Sequence, residues 1–424
     1  MTVPSRVPVS SAPAAGAPSL EPVHDFAGKL RQPALVGHVQ RYVAWRREVA
    51  AAREAGAPPP PMPPIAPLSI NLDLTTACNY ACTHCVDWDI LNTGVSFDES
   101  RLRRSVERMA AAGLRSVILI GGGEPTVHPG FVPFVGFLKD LALEVAVVTN
   151  GSRTDRLLAC VDRLGPDDWI RLSLDSGTDA TFQRMHRPKK PVTLEAICAG
   201  IRPIKERNPA PRVGFSYVIA WSGAEREAGA EVIDNVDEMP LAARLARDAG
   251  FDYVSFKPFL ARTSEGAEAM DLHGATTGEP AVLDRIRARL AEARRVATPS
   301  FRVVESTNLR VLLDGTWRTL TKQPRTCHVQ AFRQVLTPLG LYHCPAHRGA
   351  EKGLLAGKDV WASDRGAEAG AEATAASLER FDASVECREV TCLYHGANWW
   401  LEHAIAAEGD GALAPSPETR DWFL

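Results

Sequence analysis

The sequence predicts an α/β fold: a partial (βα)6 TIM-like barrel followed by a small α+β domain. Three observations carry this expectation. Between residue 68 and about residue 296, short apolar runs alternate with longer amphipathic ones. The short runs, such as Val117-Ile118-Leu119-Ile120, are nearly continuous in apolar residues, the mark of strands covered by helices on both faces. Glycines, cysteines and polar residues gather just after these runs, where a parallel barrel carries its chemistry.

Residues 1–33 are rich in Pro, Ala and Ser and poor in aromatics, which predicts a loosely attached segment. Pro33 to about Ala55 reads as one helix, with Leu35, Val39, Val43 and Trp45 on an apolar side and Arg46, Arg47, Glu48 and Arg53 on a polar one. Gly56 and the proline run Pro58–Pro61 end it as a stiff linker. Residues 1–66 thus form an expected N-terminal extension.

Strands are expected over Ile70–Leu74, Ser116–Ile120, Val145–Thr149, Ile170–Leu174, Val213–Ile219 and Tyr253–Pro258. Helices are expected near 98–112, 130–141, 153–164, 193–207, 238–249 and 281–296. Together these make a barrel of residues 67–300. Beyond it lies a second unit, 301–424. There Phe301–Glu305 and Leu309–Leu313 read as short strands, and Gln334–Tyr342 as a hairpin turning at Pro338–Gly340. Residues 362–376, rich in Ala, Gly and acids, read as an exposed connector. The last helix carries Trp399 and Trp400, a pair expected in its core.

The 424 residues are 45% hydrophobic and 23% charged, the balance of a globular protein. A net charge of −3 gives no broad basic surface for nucleic acid. No apolar run reaches membrane-spanning length, and the N-terminus lacks a signal peptide's apolar core. A cytoplasmic location is expected, with neither nucleic acid nor membrane as partner. Nine cysteines then point to metal or redox use rather than disulfides.

Cys78, Cys82 and Cys85, spaced C-x3-C-x2-C, follow the first strand. Three thiolates on one loop hold a metal or an iron–sulfur cluster. A [4Fe–4S] cube usually takes four cysteines, so three leave one iron open, and open positions are where metal sites do chemistry. Zinc is the rival, with His84 as a fourth ligand. Gly121-Gly122-Gly123-Glu124-Pro125 follows the second strand and Asn150-Gly151 the third. Ser173 and Asp175 close the fourth, although Asp175-Ser176-Gly177 is also ordinary turn chemistry. Lys257-Pro258 ends the sixth. Cys327, Cys344, Cys387 and Cys392 are a full set for a closed cluster, and equally for structural zinc.

Taken in order, Cys78, Cys82 and Cys85, then Gly122-Gly123-Glu124-Pro125, then Ser173 and Asp175 make residues 68–260 resemble the radical S-adenosylmethionine (radical SAM) superfamily. The resemblance implies that the three cysteines hold a [4Fe–4S] cluster whose open iron is chelated by the amino and carboxylate groups of SAM. One-electron cleavage of the S–C5′ bond then gives methionine and a 5′-deoxyadenosyl radical that abstracts hydrogen from substrate. Gly121, Gly122, Gly123 and Glu124 would meet the methionyl amino group, glycine because it lets a ligand approach the backbone. Ser173 and Asp175 would lie near the ribose or the methionine carboxylate. His84 precedes the third cysteine, where the family commonly has an aromatic, and would lie near adenine. A one-electron donor such as flavodoxin or ferredoxin is implied.

The four late cysteines resemble the twitch and SPASM extensions of these enzymes, which hold auxiliary [4Fe–4S] clusters. Four fit the shorter twitch type, although Gly340-x3-Cys344 is one residue shorter than the usual SPASM spacing. A fully ligated second cluster suits electron transfer and so oxidation. The expected substrate is a small polar metabolite such as a sugar, cyclitol or aminoglycoside-like compound. Maturation of a ribosomally made peptide is the alternative, and residues 1–66 argue against it by offering no strand for a leader. A radical epimerase would need a hydrogen donor, often a thiol. Cys160 and Cys198 instead read as small hydrophobes on the sheet-facing side of helices. Arg171, Tyr217, Lys257 and His186 are candidates for substrate contact.

Overall fold

A computed structural model describes residues 24–224, 231–262, 268–270 and 280–424. Most of the N-terminal segment expected to be loosely attached lies outside the described residues. Its end forms helix α1, Phe26–Leu30, with both of those residues buried.

The centre is a ten-stranded sheet. Strands β1 (Ser69–Leu72), β2 (Ser116–Leu119), β3 (Glu144–Thr149), β4 (Trp169–Ser173), β5 (Arg212–Ile219) and β6 (Tyr253–Pro258) run parallel in chain order. A separate two-stranded hairpin, β7 (Leu260–Arg262) and β8 (Glu268–Met270), follows β6. The main sheet does not stop at the expected boundary near residue 300. β9 (Arg302–Glu305) adds parallel to β6, and β10 (Arg333–Thr337) adds parallel to β1. β11 (Gly340–Tyr342) and β12 (Leu354–Ala356) continue it antiparallel.

Helices α3 (Glu99–Ala111), α4 (Phe131–Asp140), α5 (Thr154–Cys160), α6 (Asp179–His186), α7 (Leu194–Ala199), α8 (Ile201–Arg207), α9 (Met239–Ala249) and α10 (Pro280–Arg294) connect the parallel strands. Asp98, Thr178 and Thr193 cap α3, α6 and α7 by accepting from backbone N–H groups, each worth about 1 kcal/mol. The expected helix over 193–207 divides at Gly200, where a Cβ would sit 2.6 Å from Thr154 Oγ1 on α5. Alternate strand residues, including Val117, Val147, Ile170, Phe215 and Phe256, bury against these helices. Their neighbours Ile118, Ala146, Val148 and Trp169 face the other way, around Phe423.

That inner cluster brings the segment Ser416–Leu424 under the N-terminal ends of the strands. Trp169 and Phe423 meet edge to face at 5.4 Å. Ser116 Oγ donates to Trp422 O at 2.8 Å, and Lys29 Nζ donates to Phe423 O at 2.8 Å.

Helix α2 (Pro33–Glu54) packs on α14 (His395–Ala406) beside β10 in a second core. Tyr42 OH bonds His328 Nδ1 at 2.8 Å, and His328 Nε2 reaches Glu402 at 2.6 Å. Trp400 lies at the margin of this core, whereas Trp399 is exposed, so the expected core pair divides.

Two expectations fail. Leu309–Leu313 is not a strand but part of helix α11 (Thr307–Leu313), because Ser306 caps it and Leu309 and Leu312 share one buried face. Residues 362–376 are not an exposed connector. Gly366–Arg380 is helix α12, and its glycines permit close approach: a Cβ on Gly370 would sit 2.5 Å from the Trp361 ring. Thr374, Ser377 and Leu378 are buried. Helix α13 (Ala383–Glu386) follows.

Candidate active site

The three-cysteine loop leaves the C-terminal end of β1 and interlocks with the glycine turn at the end of β2. Glu124 N donates to Ala77 O at 2.9 Å. A Cβ on Gly123 would stand 2.4 Å from Ala77 O and 2.6 Å from Thr75 O, backbone atoms that cannot swing away. Gly122 has φ +75°, and a Cβ there would lie 2.4 Å from Asp73 Oδ2. These two positions therefore require glycine.

The loop's other side rests on the end of α6. Thr83 N donates to Met185 O at 2.8 Å, and Lys189 N to Asn79 O at 3.0 Å. Lys189 Nζ reaches Cys78 O at 2.8 Å, and Asn92 Oδ1 accepts from Cys78 N at 3.0 Å. Burial pushes the Cys78 thiol up. Burial, then the charges of Cys85 and Cys78, push Cys82 well above the ordinary thiol value.

Glu124 is buried, and its carboxylate is engaged by protein. Oε1 accepts from Thr126 N at 3.0 Å, Thr126 Oγ1 at 2.5 Å and Thr149 Oγ1 at 2.6 Å, and Oε2 from Asn150 N at 2.7 Å. Its side chain thus pins the turn to the end of β3. The glycine carbonyls and the remaining capacity of Oε2 are what it leaves for an ammonium group.

Asp175, at the end of β4, has φ +51°. His84 Nε2 meets its Oδ2 at 3.0 Å, and Val218 N donates to its Oδ1 at 2.6 Å. His186 Nε2 lies 3.4 Å from Oδ2 and 3.0 Å from Leu174 O, with Nδ1 3.3 Å from Cys82 Sγ. Burial by itself would raise the Asp175 carboxyl. The hydrogen bonds of His186 and His84 instead hold it far below the usual carboxylate range.

Among the substrate-contact candidates, Tyr217 turns away from the barrel interior. Its OH donates to Asn235 O at 2.5 Å, and its ring packs on Phe256. His186 belongs to the cysteine loop. Arg171 and Lys257 alternate with residues of the helix-facing core and so face inward. Cys160 and Cys198 are each 2% exposed within that core, their thiols pushed up to about 12 by burial.

Cys327, Cys344, Cys387 and Cys392 line one recess of about 470 Å3, together with His343 and His347. Cys327 precedes a 3-10 turn before β10, Cys344 follows β11, Cys387 ends α13 and Cys392 precedes α14. Asn398 Nδ2 lies 3.8 Å from Cys327 Sγ, and His347 Nε2 3.6 Å from Cys387 Sγ. Burial, then the charge of Cys344, push Cys327 up to about 12. Burial and neighbouring thiolates raise Cys387 and Cys392 further.

One feature of the site is invisible at the level of motifs. Arg348, 5% exposed, is clamped between two carboxylates of the first loop. Its Nη1 meets Asp73 Oδ1 at 3.2 Å, its Nε meets Asp87 Oδ1 at 2.9 Å, and its Nη2 also bonds Asp87. The only sequence signal was a carboxylate, Asp73, closing a fully buried strand.

A curved parallel sheet with a three-cysteine loop and a glycine turn at adjacent strand ends defines a cofactor-dependent barrel. Residues 72–222 match the radical SAM superfamily and form a radical SAM domain. Among curated proteins, it is 25% identical over 163 residues to an S-adenosylmethionine-dependent nucleotide dehydratase of Selenomonas ruminantium, covering 37% of this chain and 58% of that one. It is 35% identical over 121 residues to the mycofactocin maturase MftC of Mycobacterium ulcerans, covering 27% and 29%. The chain thus spans less than two thirds of either relative. Streptococcus suis SuiB, solved bound to S-adenosylmethionine, superposes with a TM-score of 0.50 at 13% identity, covering 75% of this chain and 69% of SuiB. That likeness shows the fold.

A radical SAM domain implies a [4Fe–4S] cluster and SAM, and the donor set fits them. After burial, the charges of Cys85 and Cys78 raise the Cys82 thiol, a repulsion that cationic iron relieves. The glycine turn at the next strand end lies against the same loop. No described helix is long and apolar enough to cross a membrane.

Proposed function

We propose that the chain is a radical SAM oxidoreductase acting on a small polar substrate, with a second [4Fe–4S] cluster held by Cys327, Cys344, Cys387 and Cys392. The observation that carries it is the interlock of the Cys78–Cys85 loop with the Gly122–Glu124 turn, which allows no side chain at Gly123. Once bound, the first cluster and SAM supply one-electron cleavage of SAM and hydrogen abstraction from substrate. Cys78, Cys82 and Cys85 hold the cluster, and the glycine carbonyls and Glu124 Oε2 receive the SAM amino group. Ser173 and the Asp175 region flank the ribose and carboxylate. His84, fixed by Asp175, takes the place beside adenine.

The four late thiols converge on one recess, a donor set that a cluster or ion can fill once their protons are displaced. A closed four-thiolate set suits electron transfer, hence oxidation. Neither Cys160 nor Cys198 reaches the barrel interior, which removes two thiols as hydrogen donors for an epimerase. A one-electron donor such as flavodoxin or ferredoxin would feed the first cluster. Anaerobically reconstituted protein with dithionite and SAM is expected to release 5′-deoxyadenosine, and Cys82→Ala to release none. Equal release from the variant would refute the assignment.

A further inference from the structure

Arg171 on β4 and Lys257 on β6 place two cations on the inner face of the sheet, and neither forms an ion pair with a carboxylate among the described residues. Arg171 lies over the Trp169 ring at 5.0 Å, and Trp169 belongs to the inner-face cluster. The strand register aligns Arg171, Gly214 and Tyr253 in one row, Ser173, Ser216 and Ser255 in the next, and Val218 with Lys257 in the third. Arg171 therefore stands one inward-facing row before the three serines and Lys257 one row after them. A Cβ on Gly214 would stand 2.0 Å from the Tyr253 ring, so that ring crosses the gap glycine leaves between them.

These groups are poorly compensated from within. Arg171 Nε and Ser216 Oγ are both buried without a hydrogen-bond partner, and Ser216 is 1% exposed. Burial, then the charge of Arg171, push the Lys257 ammonium down to about 7. Asp175, the acid that acts on Lys257, is already held by His84 and Val218 N. Two half-buried cations and a buried, unpartnered hydroxyl cost stability unless an anion completes them. Such uncompensated groups concentrate at binding sites.

We propose that Arg171, Lys257 and Ser216 bind an anionic group of the substrate, a phosphate or a carboxylate, on the inner face of β4–β6. The guanidinium supplies a fork of donors, the ammonium a point charge, and the serine a hydroxyl. The hydroxyl row includes Ser173, so the anion anchors the substrate beside the cofactor end of the barrel. This rests on the radical SAM reading only in calling the ligand a substrate. It narrows that substrate to a phosphorylated or acidic compound, and two cations disfavour an aminoglycoside.

The test is calorimetric titration of the reconstituted holoenzyme, with SAM present, against inorganic phosphate, acetate and myo-inositol. Phosphate or acetate is expected to bind, the tighter of the two identifying the group, and inositol not to bind. Arg171→Met and Lys257→Met are each expected to weaken anion binding at least tenfold, and Lys257→Arg to retain most of it. Thermal unfolding should show Lys257→Met at least as stable as wild type, since it removes an unpaired half-buried charge. No anion binding to wild type, or binding unchanged in both methionine variants, overturns the proposal. So does a parallel loss of SAM affinity, which would assign the cations to the cofactor's carboxylate. Anion binding by a wild type that releases no 5′-deoxyadenosine would leave this site standing and remove the proposed reaction.

Discussion

Arg348 joins the late half of the chain to the cysteine loop, and it does so through buried charge. A guanidinium is shared by the carboxylates of Asp73 and Asp87, and burial pushes Asp73 well above its ordinary value even with Arg348 beside it. Removing one partner of such a group costs about 3–5 kcal/mol, far more than the net worth of the intact set, because the stranded charges stay buried. Arg348→Met is therefore expected to lower unfolding stability by about that amount in urea titration. The triple variant Asp73→Asn, Arg348→Met, Asp87→Asn should recover most of the loss. An Arg348→Met protein as stable as wild type would show that the clamp carries no such weight. The contrast with the cysteines explains what the sequence makes legible. Cys78, Cys82 and Cys85 lie within one loop, so their spacing states their purpose. Arg348 stands 275 and 261 positions from its partners, and nothing local marks it. Separation likewise hid the tie of Asp175 to His84, 91 positions away, which the sequence presented as turn chemistry or a cofactor contact.

At the level of elements, the six barrel strands were legible because burial on both faces leaves an unbroken apolar run. The short late elements were not. Leu309–Leu313 has the composition of a strand, and only the Ser306 cap and the three-residue spacing of Leu309 and Leu312 make it helical. In α12 the glycines that suggested a connector are what let the helix lie against Trp361. The inward return of Ser416–Leu424 had no periodic signal at all. It creates a titrating contact. Glu144, at the start of β3, is buried beneath the returning segment, accepts from Trp422 N at 3.3 Å, and is pushed up to about 8 by burial. A raised folded pKa means its stabilisation is complete below the ordinary value of 4.5 and is lost as pH rises through about 8. Glu144→Gln keeps the neutral shape without the titration. The variant's unfolding midpoint, relative to wild type, should climb from pH 5 to pH 8 and then level off. A difference flat across that window would mean that Glu144 ionises freely beneath the segment.

For the whole molecule, the continuous sheet matters more than a boundary at residue 300. β10 pairs with β1 along Ser69–Leu72, so the strand that leads into the late-cysteine recess is the neighbour of the strand that launches the first cysteine loop. Arg348, four residues beyond Cys344, then closes the connection from the other side. Two metal centres on one sheet, as proposed above, should load independently yet stabilise a common fold. Burial raises the thiols of Cys82 and Cys327, so metal binding displaces protons and adds its free energy to folding. Reconstituted protein is expected to carry about eight irons, and a Cys387→Ala, Cys392→Ala variant about four, with the first cluster's reduced EPR signal retained. Loading should raise the thermal midpoint in two increments, and the double variant should lose only the later one. Four irons and one zinc in the wild type would assign the recess to zinc. The sheet would then join a catalytic cluster to a structural ion, and the proposed electron path through the second centre would have to be abandoned.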